Sequence, residues 1–247
     1  MLDYNLEADR YDATRGGEDR AAAAAAAIEE LLPEGTGTVV DLACGTGIVT
    51  RRLLNPTRRV LGVDRSVGML ALASGRIPGV VVGGDATRLP LASASVDAVV
   101  LIWLLHLLAD AEPVLGEAAR ILRPGGVLIS TVDKNQAAFA LPSDVAAMTQ
   151  QARAASARTA SDRRDHVVAR AAGYGLRPVS ETTFVGAGQG RSPRQWQEEI
   201  RSNRIAWFRG VNGTDADPAA ALCRDLSALP DQERPRPDPV YRLIALA

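Results

Sequence analysis

Residues 39–47 read Val-Val-Asp-Leu-Ala-Cys-Gly-Thr-Gly, an apolar run that stops on a glycine-rich turn. Gly45 and Gly47 lack the Cβ that would hold a ligand away from the main chain or forbid positive φ. A buried strand feeding such a turn opens a β-α-β unit, and Ile48, Val49, Leu53 and Leu54 beyond it have helical spacing over 47–54. The turn would then deliver a ligand to unpaired N–H groups at a helix N-terminus. A second apolar run, Arg59-Val-Leu-Gly-Val, ends on Asp64, whose carboxylate is placed to accept both hydroxyls of a ribose. Turn and acid together point to a cofactor that contains adenosine.

Two cofactor classes use this arrangement. A dinucleotide site usually shows G-x-G-x-x-G, and here Thr50 holds the third glycine position, which weakens a nicotinamide-dependent reductase without excluding it. Context favours the other class. Asp41 lies just before the turn, Gly84-Asp85-Ala86 follows a third apolar run, and Val96-Asp97-Ala98-Val99-Val100 follows Leu89-Pro90.

Strand and helix signals alternate, as in an α/β doubly wound parallel sheet. Strands are predicted at 38–43, 59–63, 79–83, 96–101 and 126–132, with helices at 47–54, 66–74 and 111–122, the last stopped by Pro124-Gly125-Gly126. A helix at 162–173, a strand at 176–185 and an edge strand from Val240 complete the pattern. Residues 1–35, 134–161 and 186–239 fall outside this scaffold and supply lid and pocket walls, because ligands of open α/β sheets sit beyond the carboxyl ends of the strands. The alanine run 21–27 reads as helix, with Glu18 and Asp19 in its first turn and Ile28, Leu31 and Leu32 as its packing face before Pro33. Residues 142–157 also read as helix, whereas 212–219 and 230–239 read as loops.

The chain has 247 residues and a net charge of −1, which fit one globular domain over 1–247. Its apolar runs fall short of the ~20 residues that cross a bilayer, and its first residues lack a basic and apolar signal, so the expected setting is cytoplasmic. Cys44 and Cys223 offer neither a disulfide framework nor a metal set, and no metal is expected.

With these landmarks in place, the sequence resembles the class I S-adenosylmethionine (SAM) dependent methyltransferases, in particular the small-molecule branch that includes ubiquinone and menaquinone biosynthesis enzymes. The matching text is VVDLACGTG, GVDRSVGMLALA (62–73), GGDATRLPLASASVDAVV (83–100), LLHLLAD (104–110) and EAARILRPGGVLIST (117–131), all within 36–132. The resemblance implies a Rossmann-like, seven-stranded, mostly parallel sheet whose last strand inserts antiparallel between its neighbours, with helical lid segments. It implies SAM as cofactor and S-adenosylhomocysteine (SAH) as product.

The resemblance also assigns roles. Ala43, Cys44, Gly45, Thr46 and Gly47 would touch the cofactor, Asp41 would lie beneath the methionyl ammonium, and Asp64 would grip the ribose. Gly84, Asp85 and Ala86 would meet the adenine edge, with Arg65, Met69, Leu101 and Ile102 as further contacts. Tyr11-Asp12-Ala13-Thr14-Arg15 looks like an element that folds over the methionine end, with Arg15 on the carboxylate and Tyr11 shielding the methyl group.

Methyl transfer from a sulfonium is an in-line displacement with a good leaving group, so positioning should dominate at ~7–11 kcal/mol, and a base adds typically ~10²- to 10⁴-fold where the acceptor loses a proton. His106 and Asp133 are the candidates for such a base or substrate ligand. Trp103, Phe139, Phe184, Trp196 and Trp207 are candidates to line an apolar pocket. Leu101-Ile102-Trp103-Leu104 replaces the Asn/Asp-Pro-Pro-Tyr element of amino-methyltransferases, no Pro-Cys nucleophile occurs, and the arginines form no phosphate-tracking stripe. The expectation is a small-molecule acceptor, no nucleic-acid or membrane partner, and O- or N-methylation over C-methylation. A SAM-binding cyclase or regulator that transfers no group is the alternative, ahead of the reductase.

Overall fold

Seven strands form one sheet in the order β3-β2-β1-β4-β5-β7-β6. They are β1 (Thr38–Leu42), β2 (Arg59–Asp64), β3 (Val81–Gly83), β4 (Val96–Leu101), β5 (Leu122–Val132), β6 (Pro178–Val185) and β7 (Val240–Leu246). β7 runs antiparallel between β5 and β6, as the resemblance implied and edge pairing alone did not. The structure, a computed structural model, describes residues 4–77, 79–202 and 218–247.

Strand residues alternate between two cores, because successive side chains point to opposite faces. Val40, Val99, Leu101, Leu128 and Ile244 enter one core with α4 (Glu112–Ile121) and α6 (Arg164–Gly173). Val39, Ala98, Val100, Ile129 and Leu243 enter the other with α2 (Gly17–Leu31). Burial on both faces explains why these strands read as continuous apolar runs. Each fully buried Leu or Ile contributes roughly 1.5–3 kcal/mol of transfer free energy. The alanine run is helical as expected: Ala21, Ala24, Ala25 and Ala27 are buried, and their small side chains let α2 lie close to the sheet. The remaining helices are α1 (Tyr4–Thr14), α3 (Val67–Arg76), α5 (Asp144–Thr159), α7 (Pro193–Arg201) and α8 (Pro218–Ser227). A third, smaller cluster joins Val145, Trp196, Ile200 and Leu226 from α5, α7 and α8.

Two expectations are corrected. The helix predicted at 47–54 is only a 3₁₀ turn, Thr50–Leu53. Ile48, Val49 and Thr50 are consecutive β-branched residues, and Pro56 pushes Asn55 out of the helical region, so no full α-helical turn nucleates. Pro124-Gly125-Gly126 does not stop a helix. α4 already ends at Ile121, and the three residues form a bulge inside β5, where pairing jumps from Val96↔Leu122 to Ala98↔Val127. Of the loop expected at 212–219, residues 212–217 lie outside the described residues and 218–219 begin α8.

Candidate functional site

Three non-glycine residues with positive φ stand directly after parallel strands: Ala43 (φ 60) after β1, Trp103 (φ 57) two residues past β4, and Asp133 (φ 51) after β5. Such backbone costs of order 1–3 kcal/mol per residue and clusters where function demands a particular direction. Ala43 and Trp103 border the point between β1 and β4 where the strand order reverses, which is where open α/β sheets bind ligands, and Asp133 lies one strand further along.

The glycine turn leaves β1 and is tied to β2 by the Cys44 N–H, which donates to Val63 O at 3.1 Å. Asp64 faces it. Its Oδ2 accepts the Gly45 N–H at 2.8 Å and its Oδ1 accepts the Ser66 N–H at 2.8 Å. Ser66 caps α3, its Oγ accepting the Met69 N–H, so Asp64 is released from the capping role. A carboxylate has about four lone-pair sites, so two remain for a ligand. A Cβ built on Gly45 would meet nothing within 4 Å, whereas one on Gly47 would lie 2.8 Å from Ile77 Cδ1. Only the first glycine opens toward the ligand; the second packs the turn onto the end of α3.

Helix α1 lies across this turn. Asn5 Oδ1 accepts from Ser66 Oγ at 2.9 Å and the Gly68 N–H at 3.0 Å. Asp12 accepts from Thr46 Oγ1 at 2.7 Å and pairs with Arg76 at 2.7 Å. Tyr11 rests on Tyr4, with Arg15 over its ring at 5.8 Å. Tyr4 was not singled out from the sequence, yet burial lifts its hydroxyl to about 12 and it lies within the fields of Asp64 and Arg65.

Asp41 is 3% exposed, and its Oδ2 accepts from Thr50 Oγ1 at 2.6 Å. Burial pushes its carboxyl up to about 7, Thr50 opposing and Asp64 reinforcing the rise. Burial also raises the Cys44 thiol, which stays protonated. Gly84 fits tightly, since a Cβ there would lie 3.0 Å from Val63 Cγ1. Asp85 is exposed and its Oδ1 accepts from the N–H and hydroxyl of Thr87, which makes a turn and leaves Oδ2 uncommitted. Ala86 is half-buried against the core; the hydrogen bonds from Thr87 and, less, the charge of exposed Arg65 lower the Asp85 carboxyl. Met69, Leu101 and Ile102 are buried at 2%, 0% and 7% exposure and belong to the interior.

Asp133 directly follows β5. Its carboxylate accepts the Arg164 N–H at 3.3 Å and lies 3.6 Å from Arg242, so it is engaged by α6 and β7. Its neighbour Lys134, the only lysine in the chain, carries the charge that His106 feels instead. His106 Nδ1 is buried with no partner among the described residues, and burial, then Lys134, then Arg15 hold its imidazole well below the usual range, so it is neutral near pH 7. The expected aromatic lining splits in two. Trp103 packs edge-on against Phe184 and Tyr241, while Phe139 stacks on Trp196 at 5.1 Å within the helical cluster. Trp207 lies outside the described residues. Among the described residues no group of three or more His, Cys, Asp or Glu could hold a metal, and no helix is long and apolar enough to cross a membrane.

Residues 40–130 match the family model described as a methyltransferase domain. A demethylmenaquinone methyltransferase of Mycolicibacterium vanbaalenii is 40% identical over 127 residues, covering 49% of this chain and 54% of that protein. The chain spans about half the length, or less, of the curated relatives it matches. Among solved structures, a SAM-dependent methyltransferase of Thermotoga maritima, described as a possible histamine N-methyltransferase, superposes with a TM-score of 0.58 at 18% identity, over 98% of this chain and 97% of that one. The (4+2)-cyclase SpnF superposes with a TM-score of 0.60 at 16% identity, over 98% of this chain and 92% of that one. The domain match makes residues 40–130 similar to a methyltransferase domain, and the whole chain shares the fold of a SAM-dependent methyltransferase.

Proposed function

We propose that the protein transfers a methyl group from SAM to a small organic acceptor. The observation that carries this reading is the open space over Gly45 beside the two uncommitted lone-pair sites of Asp64. It suits a ribose edge resting on main chain, and buried Asp41 suits the cationic end of the same molecule. When bound, SAM supplies an electrophilic methyl on a sulfonium centre. The chain's own residues then position the acceptor: Arg15, at the α1–α2 junction, holds the cofactor carboxylate, Tyr11 shields the methyl, and neutral His106 takes a proton from an acceptor that must lose one. The sequence favours an oxygen or nitrogen acceptor, while the demethylmenaquinone-methylating relatives bring carbon forward as the alternative.

The cyclase likeness supports a second reading, a SAM-fold protein that transfers no group. Incubation with SAM carrying a labelled methyl and a panel of phenols, amines and quinols separates the two. Methyl transfer yields SAH in proportion to a labelled acceptor; SAM bound and recovered intact in the presence of every acceptor would overturn it in favour of the second reading.

Asp41 gives a pH prediction. Its raised pKa means the cofactor-free fold holds a proton that the unfolded chain releases near pH 4, so this group's contribution to stability falls as pH rises through about 7. A cation seated beside it favours the ionised form. SAM should therefore bind more tightly as pH rises, by up to about tenfold per unit below pH 7, and level off above. Calorimetry at pH 6, 7 and 8 checks this. In Asp41→Asn the slope should vanish.

A further inference from the structure

Beyond the cofactor half of the site, four buried polar atoms have no partner among the described residues: the nitrogens Arg20 Nε, Trp103 Nε1 and His106 Nδ1, and the carboxylate oxygen Asp162 Oδ1. Arg20 is 7% exposed and its guanidinium lies 3.9 Å above the Trp103 ring. Trp103 in turn packs on Tyr241, whose hydroxyl donates to Gln189 Oε1 at 2.7 Å, and Gln189 Nε2 donates to Arg15 O at 2.9 Å. Thr131 Oγ1, near the end of β5, accepts the Trp103 N–H at 2.9 Å, three residues before Lys134. The chain after β4 and near the end of β5, strand β7, helix α2 and Gln189 thus meet in one cluster around Trp103.

Its charge is one-sided. Arg15, Arg20 and Lys134 have no carboxylate partner among the described residues, while Arg191 pairs with Glu199 at 2.8 Å. The acid in the Lys134 surroundings is Asp162, and its Oδ2 accepts the backbone N–H of Lys134. Burial, then the charges of Arg15, Arg191 and Arg20, hold the Lys134 ammonium down to about 8, with Asp162 opposing. Bound SAM would correct this imbalance only in part, because its one carboxylate goes to Arg15 and leaves Arg20 and Lys134 unmatched. A missing anion answers both observations at once, since an oxyanion accepts from the orphaned donors and offsets the cations.

We propose that the acceptor carries an oxyanion, a carboxylate, phosphate or ionised phenol, held by Arg20 and Lys134 over the Trp103 ring. This rests on the methyltransferase reading and narrows its acceptor to acidic small molecules. The test uses calorimetry at pH 7, where Lys134 is still protonated, on the intact protein saturated with SAH, titrated with benzoate, phenyl phosphate and pentafluorophenolate, a phenol acidic enough to be ionised there, against benzamide and anisole as uncharged analogues. The anion that binds tightest identifies the group. Binding of anions should exceed that of the uncharged analogues by about tenfold or more, and Lys134→Met and Arg20→Met should each remove at least about tenfold of it, with Lys134→Arg restoring most. Both methionine variants should keep wild-type SAH affinity, which also shows that they fold; if Arg20→Met does not, Lys134→Met decides. Benzamide binding as well as benzoate and phenyl phosphate, or undiminished anion affinity in the variants, would overturn the inference while SAH binding leaves the methyltransferase reading standing. Failure of the wild type to bind SAH would remove that reading, and this one with it.

Discussion

Asp64→Ala is expected to weaken SAM binding by about a hundredfold to ten-thousandfold. The carboxylate already spends one acceptor site on the Gly45 N–H and one on the Ser66 N–H, and the remaining two are the ones a ribose diol would use. Hydrogen bonds to a charged group contribute roughly 1.5–3 kcal/mol each, so losing two removes about 3–6 kcal/mol of binding. The two bonds to backbone hold the turn in shape for the cofactor and add to the loss. Stability should fall by less, since Gly45 is half-buried and water can replace the carboxylate at its N–H, while Ser66 is buried and bears the larger part of the cost. Calorimetry with SAM beside a thermal melt separates the effects. An unchanged dissociation constant in a folded Asp64→Ala protein would mean that the ribose is held elsewhere.

Asp64 was legible because its signal is local: a short apolar strand, a fixed offset from a glycine turn, and a serine downstream free to cap the next helix. The alternation of strands and helices was legible for the same reason, each element being announced by its own periodicity. Where the reading failed, the deciding contact was distant or two local rules competed. The stretch after Gly47 has helical spacing, but three β-branched residues and Pro56 outweigh it. Asp97 sits in a family landmark, yet its Oδ2 accepts the N–H groups of Gly37 and Thr38 at the opposite end of the sheet, so it serves the fold. The cationic cluster could not be assembled from the chain in one dimension. Arg20 looks like the solvated residue of an alanine helix, and Trp103, Lys134, Gln189 and Tyr241 are spread over the turns after β4 and β5, a loop and β7. Lys134 alone left a trace, as the one lysine in a chain whose other cations are arginines.

Gly45→Ala and Gly47→Ala, two residues apart in one turn, should fail in opposite ways. Gly47 has φ +72, and its added Cβ would lie 2.8 Å from Ile77 Cδ1 and 3.3 Å from the Ala73 Cα. Left-handed backbone costs an L-residue roughly 1–2 kcal/mol and overpacking typically another 1–3. The sum, ~2–5 kcal/mol, corresponds to a fall in Tm of about 5–20 °C for a domain of this size. Gly45, at φ +56 with nothing within 4 Å of its Cβ, incurs only the backbone cost, so its Tm should drop by a few degrees. The new methyl, however, occupies the space that the cofactor needs, and SAM affinity should fall by about tenfold or more, as expected when an inserted group displaces a ligand by its own volume. Melting curves and calorimetry on both variants give a crossed pattern, one protein unstable and the other stable but unable to bind. Equal losses of Tm with equal SAM affinity would mean that the open side of Gly45 faces solvent and that the turn is built only to let the chain reverse.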